Sequence, residues 1–365
     1  MSKKKPWIVK IGSACLTDEK GQLNLSILEN LVADISHLVS KGQPICLVSS
    51  GAVGAGMVAL QKQKRPQKLK KIQALAAIGQ VRLMQTYQEL FEKHGFMIGQ
   101  VLLSHDDFSH RESFLNTRST LSQLLELGVV PIINENDTVS TEEIEFGDND
   151  RLAVLLSNAI EAELCVFLST APGLLDFDRS KEPIKEVKKI DERIFSLAKG
   201  GNHMGRGGMG SKLIAIDTLT KGGKVGILAD GREKGVVKAI FEGESRGTKF
   251  FPNSNKKSSR EQWMLHHLRP HGAINIDLGA HKAVTQRHAS LLSVGVNDFS
   301  GRWKTGQLVS LCFEGKEFAR GMARMSHDQL ELVLGKDKEE ALSILGKASP
   351  KYLIHRNDIC ILDRD

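Results

Sequence analysis

The sequence predicts an α/β protein: a three-layer α/β/α sandwich around a mainly parallel sheet, followed by a small β-rich domain. Three observations predict it. Over the first two-thirds of the chain, short apolar β-prone runs alternate with stretches of helical period, and repeated βα units of this kind set parallel strands between two helical layers. The 365 residues exceed the roughly 250 to 300 at which single cores stop growing, so two domains are expected. A polar break, Pro252-Asn-Ser-Asn-Lys-Lys-Ser-Ser-Arg-Glu-Gln262, then separates the βα pattern from one of period two. The expected division is a first domain over 1–252, a linker over 253–269 and a second domain over 270–365.

Taken in order, Trp7 to Ile11 is the first strand, after which Leu28, Leu31, Val32, Ile35, Leu38 and Val39 recur at helical spacing up to a stop at Gly42. The continuous apolar run from Pro44 to Ser50 is a second, buried strand, and it leads through Gly51-Ala-Val-Gly54-Ala-Gly56 into a helix. A long helix is expected over 70–94, a strand over 97–103, a helix over 111–127 and a strand over 129–133. The cycle continues with a helix over 150–162, the strand Leu164 to Leu168, a helix from Ser211, a strand from Lys224 to Leu228 and a closing helix from Glu233. Beyond the break, Ile274 and Ile276 alternate with Asn275 and Asp277, and Val309, Leu311 and Phe313 with Ser310 and Cys312. That is the signature of half-exposed strands.

Composition excludes several classes. With 41% hydrophobic and 25% charged residues the chain is neither disordered nor fibrous. No run approaches the ~18 apolar residues of a membrane span, and the basic start lacks the apolar region of a secretory leader. Five scattered cysteines without a Cys-x-x-Cys pair read as reduced thiols, so a cytoplasmic location is expected. The net charge of +7 favours anionic partners without choosing among them; residues 253–365, with 17 basic and 13 acidic side chains, hold +4 of it. No Cys/His cluster has zinc spacing and no Gly-x-Ser-x-Gly is present, so neither a protein-held metal nor a covalent nucleophile is expected.

Ligands of parallel sheets bind beyond the carboxyl ends of the strands, and five such loops are unusual. Lys10-Ile-Gly12-Ser puts a lysine inside an apolar strand; taken alone it reads as a solvated edge-strand residue, with an anionic partner as the other reading. The glycines of Gly51 to Gly56 let main-chain N–H groups approach an anion at a helix start, or else serve a tight turn with close helix packing. Asn134-Glu-Asn-Asp137 and Gly147-Asp-Asn-Asp150 bring carboxylates and carboxamides together. Capping accounts for one of those residues but not for seven in two loops. Finally Gly205-x-x-x-x-Gly210-Ser211-Lys212 imitates a Walker A loop with Ser and Lys exchanged, hence a different phosphate loop or a flexible segment.

Together Val9-Lys-Ile-Gly-Ser13, Val48-Ser-Ser-Gly-Ala-Val-Gly-Ala-Gly56, Pro131-Ile-Ile-Asn-Glu-Asn-Asp137, Phe146-Gly-Asp-Asn-Asp150 and Gly207-Gly-Met-Gly-Ser-Lys212 resemble the glutamate 5-kinases of the amino-acid kinase family. The resemblance covers essentially the whole chain. After the linker, Gly272 to Ala280, Ser290-Leu-Leu292, Gly295-Val296 and Ala319-Arg-Gly321 look like a PUA domain. What the resemblance implies is the amino-acid kinase fold and transfer of the γ-phosphoryl group of ATP to the side-chain carboxylate of L-glutamate, a step of proline synthesis. It implies Lys10, Lys212 and Asp150 as catalytic residues, and Ser50, Asp137 and Asn149, with Asn134 nearby, around glutamate. It further implies an ATP site of Lys10, Gly12, Gly51, Gly54, Ser169, Thr170, Arg206, Gly207, Gly208, Met209, Gly210, Ser211 and Lys212, with Mg²⁺ travelling with ATP. The family also suggests a homo-oligomer (dimer or tetramer), proline as feedback inhibitor and handover to glutamate-5-semialdehyde dehydrogenase; no membrane partner is expected.

The chain departs from the family pattern where Thr-Asp is usual, reading Ser169-Thr170, and in the late glycine loop, where Arg206 and Ser211 stand for Thr. Thr170 removes a carboxylate and Arg206 adds a cation beside ATP. Two alternatives stay open at this point: an RNA-binding or regulatory protein with a degenerate kinase domain, and an amino-acid kinase with a different acceptor.

Overall fold

The computed structural model describes residues 4–17, 23–62, 64–109, 111–139, 148–177, 180, 182–198, 208–252, 270–346 and 349–362. The chain divides into two compact units, Met1–Lys257 and Ser258–Asp365. The expected linker, 253–269, lies outside the described residues.

The first unit runs β1 (Trp7–Ile11), α1 (Ser13–Leu16), α2 (Leu25–Ser40), β2 (Ile45–Ser49), α3 (Ala52–Ala59), α4 (Leu69–Glu92), β3 (Ile98–Leu103), α5 (His105–Ser109), α6 (Arg111–Glu126) and β4 (Val130–Glu135). It continues with α7 (Asp148–Ala159), β5 (Leu164–Ser169), β6 (Glu186–Val187), α8 (Glu192–Leu197), α9 (Met209–Lys221), β7 (Val225–Asp230), α10 (Val236–Phe241) and β8 (Thr248–Phe250). The strands form one eight-stranded sheet in the order β3-β4-β2-β1-β5-β7-β8-β6, parallel throughout except for the β7–β8 pair. Every residue of β2, β4 and β5 is buried, which is why those runs are apolar without alternation. Two hydrophobic cores flank the sheet. Leu28, Val32, Ile35, Leu83, Tyr87 and Phe91 of α2 and α4 fill one, and Leu121, Leu152, Leu156, Leu213 and Ile216 of α6, α7 and α9 fill the other.

Two glycines set the approach of α3 to α4. A Cβ on Gly56 would fall 1.9 Å from the Leu75 carbonyl oxygen, and one on Gly79 would fall 1.7 Å from that of Ala52. At Gly56 the close-packing reading of the glycine run is therefore the correct one. Gly51, at the N-cap of α3, has φ +109°, which favours glycine.

The second unit holds β9 (Gly272–Ile276), α11 (Leu278–Arg287), β10 (Val296–Gly301), β11 (Leu308–Phe313), β12 (Lys316–Met322), α12 (His327–Val333), α13 (Lys338–Leu345) and β13 (Ile359–Ile361). Its sheet has the order β10-β9-β11-β12-β13. It has its own core, with Trp303 buried and its indole N–H donating to the Met325 carbonyl at 3.0 Å.

Candidate active site

Because β1, β2, β4 and β5 are parallel neighbours, the loops that follow them open at one edge of the sheet, where Gly12, Ser50, Asn134 and Ser169 stand. Lys10 is not the solvated edge residue that its local sequence suggests. It lies on β1 between β2 and β5 and is 3% exposed. Its partner is Asp150, 1% exposed, in the first turn of α7: Lys10 Nζ stands 2.5 Å from Oδ1, and Lys212 Nζ, from the first turn of α9, 3.0 Å from Oδ2. One carboxylate thus holds an ammonium from the sheet and another from a helix. Lys212, whose place at a helix start opposes the dipole, has Asp150 as its compensating anion.

The electrostatics follow from burial and pairing. Burial pushes the Asp150 carboxyl up, but Lys10 and Lys212 outweigh it and hold the group below its ordinary value. Burial drives the Lys10 ammonium below its ordinary value, with Asp150 offsetting only part of the effect. A Cβ on Gly12 would lie 3.6 Å from Lys10 Nζ, in ordinary van der Waals contact with the ammonium.

Beside this triad a second polar cluster assembles from four segments: the turn after β2, α4, β4 and α7. Asn149 Nδ2 donates to Ser50 Oγ and to Asn134 Oδ1, both at 2.9 Å, and Asn134 Nδ2 donates to Gln80 Oε1 of α4 at 2.9 Å. The main-chain N–H of Glu135 is shared between Asn134 Oδ1 at 3.0 Å and Asn149 Oδ1 at 3.3 Å. Asp137 is half-buried just beyond, and its carboxylate acts on Arg65 from the α3–α4 connection. Desolvation of the Arg65 head lowers its guanidinium although the residue is exposed overall, and Asp137 opposes that shift.

On the other side of β1, Ser169 is buried and its Oγ accepts the Ala171 N–H at 3.0 Å, while the Thr170 carbonyl accepts Arg232 Nη2 at 2.6 Å. Arg232 in turn is held by Asp230 at 2.7 Å. Gly208 caps α9 and accepts the Ser211 hydroxyl at 2.9 Å, Met209 packs partly against the core, and a Cβ on Gly210 would meet nothing within 4 Å. Gly54 lies half-buried within α3. Arg206 and Gly207 fall outside the described residues. The structure therefore brings Lys10, Asp150 and Lys212 together, and Ser50, Asn134 and Asn149 together. Sequence reasoning missed Arg65, Gln80, Arg232 and the His105–Glu135 pair; only the length of the polar run at 61–65 and the Gly231 turn after a strand could have signalled two of them.

Among the described residues no helix is long and apolar enough to cross a membrane, and the one group of three potential metal ligands is His327, Asp328 and Glu331 in the second unit. Residues 5–228 match the profile of the amino acid kinase family and residues 272–345 that of the PUA domain. The chain is 39% identical over 363 residues, 98% of each sequence, to the glutamate 5-kinase of Caldanaerobacter subterraneus subsp. tengcongensis. It is 40% identical over 365 residues, again 98% of each, to the glutamate 5-kinase of Pseudomonas putida. Among solved structures, the carbamate kinase from Giardia lamblia bound to AMP-PNP superposes with a TM-score of 0.50 at 17% identity, over 69% of this chain and 100% of that one, a likeness of fold.

Proposed function

The chain belongs to the amino acid kinase family, among the glutamate 5-kinases, and from that premise we propose that it transfers the γ-phosphoryl group of ATP to the side-chain carboxylate of L-glutamate, the entry to proline synthesis. It is a phosphotransferase with a carboxyl acceptor. The alternative of a degenerate kinase serving RNA binding is not favoured by full-length similarity to glutamate 5-kinases, and the paired lysines and aspartate speak against decay.

The observation that carries the reading is the Lys10–Asp150–Lys212 triad. The acceptor oxygen of glutamate is already ionised at neutral pH, so no general base is required and catalysis rests on positioning and charge neutralisation. The carboxylate oxygen bonds to the γ-phosphorus as the bond to the ADP oxygen breaks, giving an acyl phosphate. Each ammonium has three N–H donors; Asp150 accepts one from Lys212 and holds Lys10 as an ion pair, which leaves both lysines with donors for the migrating phosphoryl oxygens. Main-chain N–H groups near Gly12, Gly51 and Gly54, and the loop from Gly207 to Lys212, would cradle the phosphates. Ser169, Thr170 and Arg206 would flank the nucleotide.

On the acceptor side Ser50, Asn134 and Asn149 would take a carboxylate and Asp137 the α-ammonium. Mg²⁺ would come with the nucleotide, because Asp150 is already bound by two lysines and is no free metal ligand; the ion would neutralise charge on the β and γ oxygens. We further propose the division into a kinase domain (1–252) and a PUA-like domain (270–365), a cytoplasmic homo-oligomer, proline as feedback inhibitor, and handover of the labile product to glutamate-5-semialdehyde dehydrogenase.

The test is ADP release, with hydroxylamine trapping of the acyl phosphate, on L-glutamate, L-aspartate, N-acetylglutamate and UMP. Glutamate is expected to be the acceptor; turnover on another of these with none on glutamate would overturn the reading.

A further inference from the structure

Glu135 is the acidic residue in the Asn134–Asp137 loop to which the resemblance gives no role, and its surroundings are unusual. It ends β4, opposite Leu103 of β3 in the parallel register, and is 8% exposed. Its side chain points to the face opposite Asn134, where Ile133, Leu103 and Phe108 of the same face are apolar and buried. There Glu135 Oε1 stands 3.5 Å from His105 Nδ1 of α5, while Glu135 Oε2 and His105 Nε2 are both buried and find no hydrogen-bond partner among the described residues. A carboxylate in this position is costly, and an apolar side chain of the same size would serve the scaffold better. Buried polar atoms left unsatisfied call for an explanation.

The main chain supplies one. The N–H of Glu135 is the donor on which the carboxamide oxygens of Asn134 and Asn149 converge, at 3.0 and 3.3 Å. Those two carboxamides also meet each other, and Asn149 reaches Ser50, so the place of residue 135 bears on the place of the whole polar cluster. The ladder with β3 fixes the register of residue 135, and the contact of its carboxylate with His105 adds a polar link from the end of β4 to α5 that an apolar side chain would not supply.

We propose that Glu135 and His105 form a positioning pair for the acceptor amino acid, acting through Asn134 and Asn149 and not by contact with the reacting atoms. This rests on the reading of that cluster as the acceptor site. The pair governs how well the acceptor is held; neither of its residues touches the triad, whose Lys10 lies on β1, separated from β4 by β2, and whose Lys212 lies on α9.

The experiment measures steady-state kinetics and thermal midpoints of the full-length Glu135→Met, Glu135→Gln and His105→Asn proteins. In Glu135→Met the KM for glutamate is expected to rise on the order of ten- to a hundredfold, with kcat and the KM for ATP moving far less and the thermal midpoint unchanged or higher. Glu135→Gln, which keeps the shape and a polar contact to His105, should recover most of the loss. A wild-type KM for glutamate in folded Glu135→Met overturns the proposal, as does a parallel rise in both KM values or a Glu135→Gln protein no better than Glu135→Met. Should Glu135→Met not fold, His105→Asn decides: a raised KM for glutamate alone supports the pair, and an unchanged one overturns it. Failure of the acceptor assignment would show itself separately, as wild-type protein inactive on glutamate, and the same variants would then be measured with the acceptor that is turned over.

Discussion

Asp150 carries two ammonium groups on one carboxylate, and that ratio leaves the triad with a net positive charge facing the sheet edge. Lys212→Ala should cut turnover by about a hundred- to a thousandfold, roughly 3 to 4 kcal/mol of transition-state stabilisation, while leaving the thermal midpoint near that of the parent. ADP-release kinetics beside a melting curve check both halves; a parental rate would remove the mechanism. The same residues predict a pH limit. Because burial holds Lys10 below its ordinary value, kcat should turn down on the alkaline side earlier than an ordinary lysine would cause, as the ammonium loses its proton. A kcat profile flat up to the ordinary lysine range would contradict that. At this scale the sequence exposes Lys10 inside an apolar strand and Asp150 and Lys212 at helix starts, yet only the family resemblance joins them, since nothing local links positions 10, 150 and 212. Read alone, Lys10 even looked solvated. Gln80 was hidden for another reason: a glutamine within an amphipathic helix looks like any solvent-facing residue, and only its bond to Asn134 distinguishes it.

At the scale of elements, the crossing of α3 and α4 is set by two missing side chains. Gly79→Ala would drive a Cβ into the Ala52 carbonyl, and the helices must separate, at a cost on the order of 3 kcal/mol. Since Gln80 follows directly, the same variant should raise the KM for glutamate more than that for ATP, readable from denaturant titration paired with kinetics. The junction of α7 with β7 offers a pH-dependent counterpart. Lys224, donating to Asn158 Oδ1 at 2.5 Å, has its ammonium lowered by burial to about 8. The unfolded chain therefore binds more protons between that value and the ordinary 10.5, so Lys224 costs stability at neutral pH, on the order of 3 kcal/mol, and the cost fades as pH rises through the window. Lys224→Met is expected to melt higher than the parent at pH 7 and to lose that advantage toward pH 10. The long elements were legible because burial on both faces writes continuous apolar runs into β2, β4 and β5 and a 3.6 period into α2. The two-residue β6 and three-residue β8 were not, being too short to display any period, and the antiparallel β7–β8 pairing leaves no mark in a sequence otherwise built of βα units.

The two units carry separate cores. Calorimetry should accordingly resolve two transitions, and ATP with glutamate should raise only the one belonging to the kinase unit, by about 2.7 kcal/mol at a hundredfold excess over the dissociation constant. A single transition that shifts as one would contradict this. That a second, β-rich unit follows was legible from the change of period, whereas its helices, α11 to α13, carry no clear signal, being short and set among strands. One consequence of the Lys10–Asp150–Lys212 arrangement belongs to time. Its members come from the first strand, the middle and the last third of the kinase unit, so the triad closes only when the chain's longest-range contacts form, late in folding. Lys10 leaves the ribosome long before its counter-ion exists and must stay hydrated until α7 docks. Recovery of activity during refolding is therefore a clock for the final docking of helices onto the sheet, and it should trail the return of the helical signal.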